Sequence, residues 1–174
     1  MCYNEAMLEL VAEDHPILQK TMPKVEEVVG LRQLAHDMFL LMWSNGGVGL
    51  AAPQVGIAVR MFVMGPQSGP NYVCINPEIQ ESGAVAIAKE GCLSFPGLWL
   101  SISRPSWVQA RYQTLDGTWV EQRFDGLLAQ CYQHELDHLN GELFVNRSSR
   151  LGLKMARERQ QKEIRKMKRV ESQA

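Results

Sequence analysis

Long apolar runs are missing from this 174-residue chain, whose longest is Met38 to Trp43. That is far short of the roughly 20 residues a membrane-spanning helix needs. The first residues, Met1-Cys2-Tyr3-Asn4-Glu5, have neither the basic start and apolar stretch of an export signal nor the Arg- and Ser-rich character of an organelle-targeting peptide. The cytoplasm is therefore the expected compartment. Cysteine is sparse: Cys2, Cys74, Cys92 and Cys131 show no close pairing pattern and are expected as thiols, not disulfides. There is no internal repeat, no low-complexity segment and no phosphate-loop spacing. With 45% hydrophobic and 21% charged residues, the composition is that of one ordinary soluble domain with a substantial core.

Histidine is also scarce, four in all, yet two of them stand in His134-Glu135-Leu136-Asp137-His138. Histidines four apart share one helix face, so both imidazoles can reach one metal ion. Glu135, next to the first, lies beside the ion and can take a proton from a water held there. The pattern is that of metal-dependent hydrolases, provided a helix spans it. Asp125-Gly126 offers a start and Asn140-Gly141 a stop, with no proline between. At helical period Leu127, Cys131, His134 and His138 form one stripe, with Leu128, Tyr132, Glu135 and Leu139 beside it. The ligands thus sit on a broad buried face.

Net charge is −1 but unevenly spread: residues 1–146 hold 8 basic and 16 acidic side chains, residues 147–174 hold 10 and 3. Residues 150–170 are rich in helix formers and contain no proline, which predicts a basic helix. Two readings stay open for it. One is a solvated helix with apolar contacts at Leu151, Met155, Ile164 and Met167; the other is a contact with a polyanion such as RNA. The division is a catalytic domain over residues 1–146 and a basic helical tail over residues 147–174 as an extension of it. Upstream, residues 28–44 carry the spacing of an amphipathic helix ended by Asn45-Gly46-Gly47. Strands are expected at 59–64, 72–75, 87–89, 107–114 and 118–124, the last two joined by an Asp116-Gly117 hairpin. Helix, strands, metal helix and basic helix in that order predict an α+β fold with a largely antiparallel sheet around a central metal-binding helix, and a C-terminal helix.

A hydrolytic site usually takes three protein ligands and leaves a place for water. Glu142 lies too close in sequence to fold back, His15 and His36 lie in unrelated segments, and Glu158 and Glu163 belong to the basic tail. Cys92, within Glu90-Gly91-Cys92-Leu93-Ser94, is the better candidate, since the preceding glycine lets the backbone approach closely. Taken alone, a single cysteine is more often a small core residue. In Gly47-Val48-Gly49-Leu50-Ala51-Ala52-Pro53-Gln54 the small residues imply backbone packed tightly against an element or a substrate. Gln54 could donate to a developing oxyanion or simply cap a turn.

Taken together and in this order, these three segments resemble the three signature motifs of the peptide deformylase family, and the likeness extends from Pro16-Ile17-Leu18 through Gly126-Leu127-Leu128-Ala129 to Leu143-Phe144. The resemblance implies that Cys92, His134 and His138 hold a divalent metal: ferrous iron in the cell, with zinc or nickel possible in purified protein. It implies Glu135 as general base and later acid, and Gln54 with the backbone N–H of Leu93 as oxyanion donors. It implies an N-formylmethionyl nascent peptide as substrate and formate as product. Backbone at Gly47 to Gly49 would pair with the extended substrate, and Val48, Gly49, Leu127 and Cys131 would bind it around its methionine. Glu90 and Arg104 would form a supporting ion pair. The basic helix would dock on the ribosome.

The chain departs from the family pattern at Gln19, Trp99 and Gln130, which bears on side-chain preference beyond the methionine and not on the chemistry. Two other functions compete. A metallopeptidase of the His-Glu-x-x-His type needs a downstream ligand, and a ribosome-associated binding module with a structural metal would have no use for Glu135 or Gln54.

Overall fold

Residues 8–171 are described by a computed structural model of the chain. In order they form α1 (Leu31–Ser44), β1 (Gly49–Ala51), β2 (Met61–Met64), β3 (Tyr72–Ser82), β4 (Val85–Cys92), β5 (Phe95–Pro105), β6 (Trp107–Gln113), β7 (Trp119–Asp125), α2 (Gly126–Leu139) and α3 (Arg150–Glu171). Short 3-10 turns lie at Pro16–Gln19, Ala52–Val55 and Phe144–Arg147. Five strands make one antiparallel sheet in the order β1-β2-β3-β6-β7, and β4 pairs with β5 separately. This is the expected α+β arrangement.

Alternation along the strands decides the layers. In β2, Met61 and Val63 face α1 and pack with Leu34, Met38 and Met42. Phe62 and Met64 face the other way, toward Ala129, Tyr132 and Leu139 of α2. Side chains of a strand point to opposite faces in turn, so a fully apolar tetrapeptide is what a doubly covered strand requires. The β4–β5 pair forms a further layer, whose core joins Leu98, Leu100 and Ile102 to Leu18, Leu143 and Phe144. Helix α2 touches both the five-stranded sheet and β5, and is therefore enclosed. Tyr132 anchors it, its ring edge-on to Phe62 and its hydroxyl donating to the Glu78 carbonyl at 3.0 Å.

Several expectations need correction. Strand β5 is unanticipated because Pro96-Gly97 and Pro105 read as breakers; between them Leu98, Leu100, Ile102 and Arg104 alternate inward. Strand β3 runs through Pro77, where the ladder to β6 slips register. Asp125 occupies the N-cap position of α2 but makes no capping bond, its carboxylate pairing with Arg123 instead. Gly141 does take the left-handed conformation (φ 74°) after the helix. The helix α3 contacts the body through Leu153, Ala156 and Gln160; Leu151, Met155, Ile164 and Met167, the contacts of the solvated-helix reading, are exposed. Cys74, Cys92 and Cys131 are free thiols, and Cys2 lies outside the described residues.

Candidate metal centre

Burial of α2 on both sides brings its two histidines under β4. His134 and His138 are buried, their ring centroids 5.0 Å apart. Cys92 ends β4 where a register shift and the Leu93-Ser94 turn bring the chain back as β5. Its Sγ lies 3.3 Å from His138 Nε2. One donor atom from each of Cys92, His134 and His138 falls within 4.8 Å of the others, the one such group of three among the described residues. Soft thiolate with two imidazoles suits a divalent transition metal. Glu90 accepts from His134 Nδ1 at 3.1 Å, which leaves the other ring nitrogen to face the cysteine, as metal-ligating histidines require.

Glu135 sits beside these donors, 3% exposed, and its Oε2 has no protein partner. A buried carboxylate oxygen left unsatisfied is costly unless something else comes to meet it. It lies against the three-donor group, so the residues present fit a metal and its water. Burial raises the carboxyl of Glu135 to about 7, against the opposing charges of His134 and Arg104. That carboxyl also defines what Gly49 must be. A Cβ there would lie 2.3 Å from Glu135 Oε1 and 2.5 Å from Cys131 Sγ. The glycine at position 49 is thus set by the metal helix.

Gln54 caps the Ala52–Val55 turn, one of the two readings the sequence left open. Its Oε1 accepts from the Ala51 backbone N–H at 2.8 Å, which fixes the amide. Its Nε2 then points at the cysteine turn, 3.1 Å from Ser94 Oγ and 3.4 Å from Cys92 Sγ. A cleft of about 510 Å³ opens over this point, lined by Val48, Gly49, Gln54, Cys92, Leu93, Leu127, Cys131, His134 and Glu135. Every expected site residue therefore lies at the cleft except His138, which is buried behind it. Leu127 differs from the buried position its stripe implies: it is 63% exposed, at the mouth. Trp99, 60% exposed, and Gln130 also line the cleft.

The Glu90–Arg104 pair is no surface pair. Both are buried, with Arg104 Nε and Nη2 reaching the two carboxylate oxygens at 2.5 and 2.9 Å. Against the cost of burial, hydrogen bonds from His134 and Arg104 hold Glu90 at about 2. The same guanidinium reaches Asp137 Oδ2 at 2.8 Å, and Arg147 binds that carboxylate from the other side. Sequence reasoning missed Asp137 and Arg147. The one available signal was a carboxylate beside a candidate ligand on a helix otherwise buried.

A sequence model of the polypeptide deformylase family matches residues 7–154. The chain is 46% identical over 134 residues to a peptide deformylase of Thermotoga neapolitana, covering 76% of this chain and 81% of that one. It is 42% identical over 148 residues to one of Mesorhizobium japonicum, covering 82% and 84%. Among solved structures, a peptide deformylase of Synechococcus elongatus in complex with actinonin superposes with a TM-score of 0.83 at 40% identity over 88% of this chain and 85% of that one. One from Legionella pneumophila gives 0.84 at 36% identity over 97% and 99%. With matches of this extent falling on the cysteine turn, the glycine-rich strand and the histidine helix alike, the chain belongs to the polypeptide deformylase family.

Proposed function

We propose that the protein is a metal-dependent hydrolase that removes the formyl group from the N-terminal formylmethionine of nascent polypeptides, releasing formate and a free amine. The observation that carries this reading is the meeting of Cys92, His134 and His138 with the unpartnered carboxylate of Glu135 and the aimed amide of Gln54. Cys92, His134 and His138 would hold the ion. When bound, such an ion lowers the pKa of a water to about 7, which supplies a nucleophile at neutral pH. Glu135 takes the proton as the water oxygen attacks the formyl carbon, then gives it to the leaving nitrogen as the C–N bond breaks. Gln54 Nε2 and the Leu93 backbone N–H donate to the oxyanion. A formyl carbon bears only hydrogen beside its amide, so a narrow site admits it and excludes larger acyl groups.

Strand β1 is an edge strand of its sheet, and an extended peptide can pair along such an edge. Backbone at Gly47 to Gly49 would hold the substrate this way, with its methionine between Val48, Gly49, Leu127 and Cys131. Ferrous iron is the expected ion in the cell, with zinc or nickel able to occupy the same donors. The basic face of α3 would meet the ribosome, and the enzyme would act in the cytoplasm where chains emerge. No helix of the described residues is long and apolar enough to cross a membrane. A catalytic unit over 1–146 with 147–174 as its extension remains the working division.

The test is hydrolysis of a formyl-methionyl tripeptide beside its unformylated twin. Formate from the first and no cleavage of the second is expected. Peptide-bond cleavage of the second without formate would make the protein a metallopeptidase and overturn the proposal.

A further inference from the structure

Arg147 ends a line of charged groups that begins on His134. Glu90 Oε2 lies 3.1 Å from His134 Nδ1, Arg104 clasps Glu90 through two nitrogens, and Arg104 Nη1 reaches Asp137 Oδ2 at 2.8 Å. Arg147 then donates through Nε to the same oxygen at 2.6 Å and through Nη2 to the other. The inner members are enclosed, with side chains of Glu90, Arg104 and Asp137 at 3%, 5% and 10% exposure, while Arg147 at 42% reaches solvent. Two guanidinium groups balance two carboxylates. Such a buried set is stable only with every member partnered.

We propose that Arg147 is a positioning residue for the metal-binding histidines, acting through Asp137, Arg104 and Glu90. The inference rests on the metal-dependent reading of the site. Without the Arg147 fork, Asp137 keeps Arg104 as its partner, and a single guanidinium must serve two buried carboxylates. A shift of Arg104 toward Asp137 loosens Glu90 from His134. A shift of Asp137 disturbs the helical turn that carries His138, its neighbour in sequence. The segment that supplies Arg147 is pinned to the same place by packing, since Phe144 of that turn lies 5.5 Å from the His134 ring. The Phe144–Arg147 turn therefore supports His134 twice, once by contact and once through charge.

The experiment is chelator competition on the purified full-length protein, measuring metal dissociation constants for the wild type, Arg147→Met, Arg147→Lys and Arg123→Met. Methionine keeps an unbranched stem and removes the charge. Outer partners of metal ligands typically govern affinity by 10- to 100-fold, so Arg147→Met should bind metal about 10-fold more weakly. Arg147→Lys, which restores charge without the two-pronged fork, should fall between Met and wild type. Arg123→Met removes an exposed ion pair elsewhere and should match wild type. Once loaded with metal, Arg147→Met should show a KM within about two-fold of wild type. Wild-type metal affinity in both Arg147 variants would overturn the proposal, whatever happens to their thermal midpoints. A wild-type protein that binds no metal at Cys92, His134 and His138 would overturn the metal reading and this proposal with it.

Discussion

On the proposed reading Glu135 and Gln54 carry the chemistry, and the structure holds both in place. Glu135 is walled in by Gly49 and Cys131, and Gln54 is fixed through its own carbonyl to Ala51. Replacing Glu135 with alanine would remove the proposed proton carrier while leaving the proposed metal ligands in place. Metal content should stay at the wild-type level while kcat falls by about 10²- to 10⁴-fold, as for other positioned acid–base groups; elemental analysis and formate release on one sample read both. Gln54→Leu would remove the proposed oxyanion donor and should lower kcat about 10²- to 10³-fold. A loss of metal in Glu135→Ala, or unchanged turnover in Gln54→Leu, would reassign the residue concerned.

Among the elements, β1, where the substrate is proposed to pair, packs against α2, which carries the proposed base. Gly49→Val would drive a side chain into Glu135 and Cys131. Turnover should drop at least about 10-fold, since a displacement near 1 Å already costs more than that. Metal content should hold, because the glycine touches no ligand. Full activity in Gly49→Val would mean that the strand yields and that its close approach is incidental. Much at this scale was legible in the sequence. The interval of His134 and His138 placed them on one helix face, and the Asp116-Gly117 turn gave the hairpin of β6 and β7. Periodicity could not reveal β5, whose proline and glycine neighbours resemble loop. Nor could it reveal that Arg104 points inward, since a buried guanidinium depends on carboxylates from β4 and α2 that meet it only after folding. Gln54 was ambiguous for the same reason: its bonds go to Ala51, near in sequence, and to Cys92 and Ser94, 38 and 40 residues away.

For the whole molecule, contacts with the body continue into the first turns of α3. Gln160 still touches the body, donating to the Pro96 carbonyl at 2.6 Å, and residues 161–170 are exposed. Basic charge dominates that exposed end, while the rest of the chain is net acidic. The apolar content of 147–174 does not say which face the body will take; Leu153 and Ala156 turn inward, and Leu151 and Met155 turn outward. Removing residues 161–174 should leave hydrolysis of a short formyl peptide unchanged. It should weaken sedimentation with ribosomes and flatten the salt dependence of that binding, since fewer phosphate contacts release fewer counterions. Equal ribosome binding with and without the tail would end the docking role.

The most direct measurement couples metal to chemistry in one sample. The protein is purified without oxygen, stripped with a chelator and reloaded stepwise, and at each step the bound metal and the rate of formate release from a formyl-methionyl tripeptide are determined. The account predicts no release from the stripped protein and a rate that rises in proportion to occupancy up to one ion per chain. A fully loaded protein that releases no formate, or a stripped one that releases it at the full rate, would contradict it.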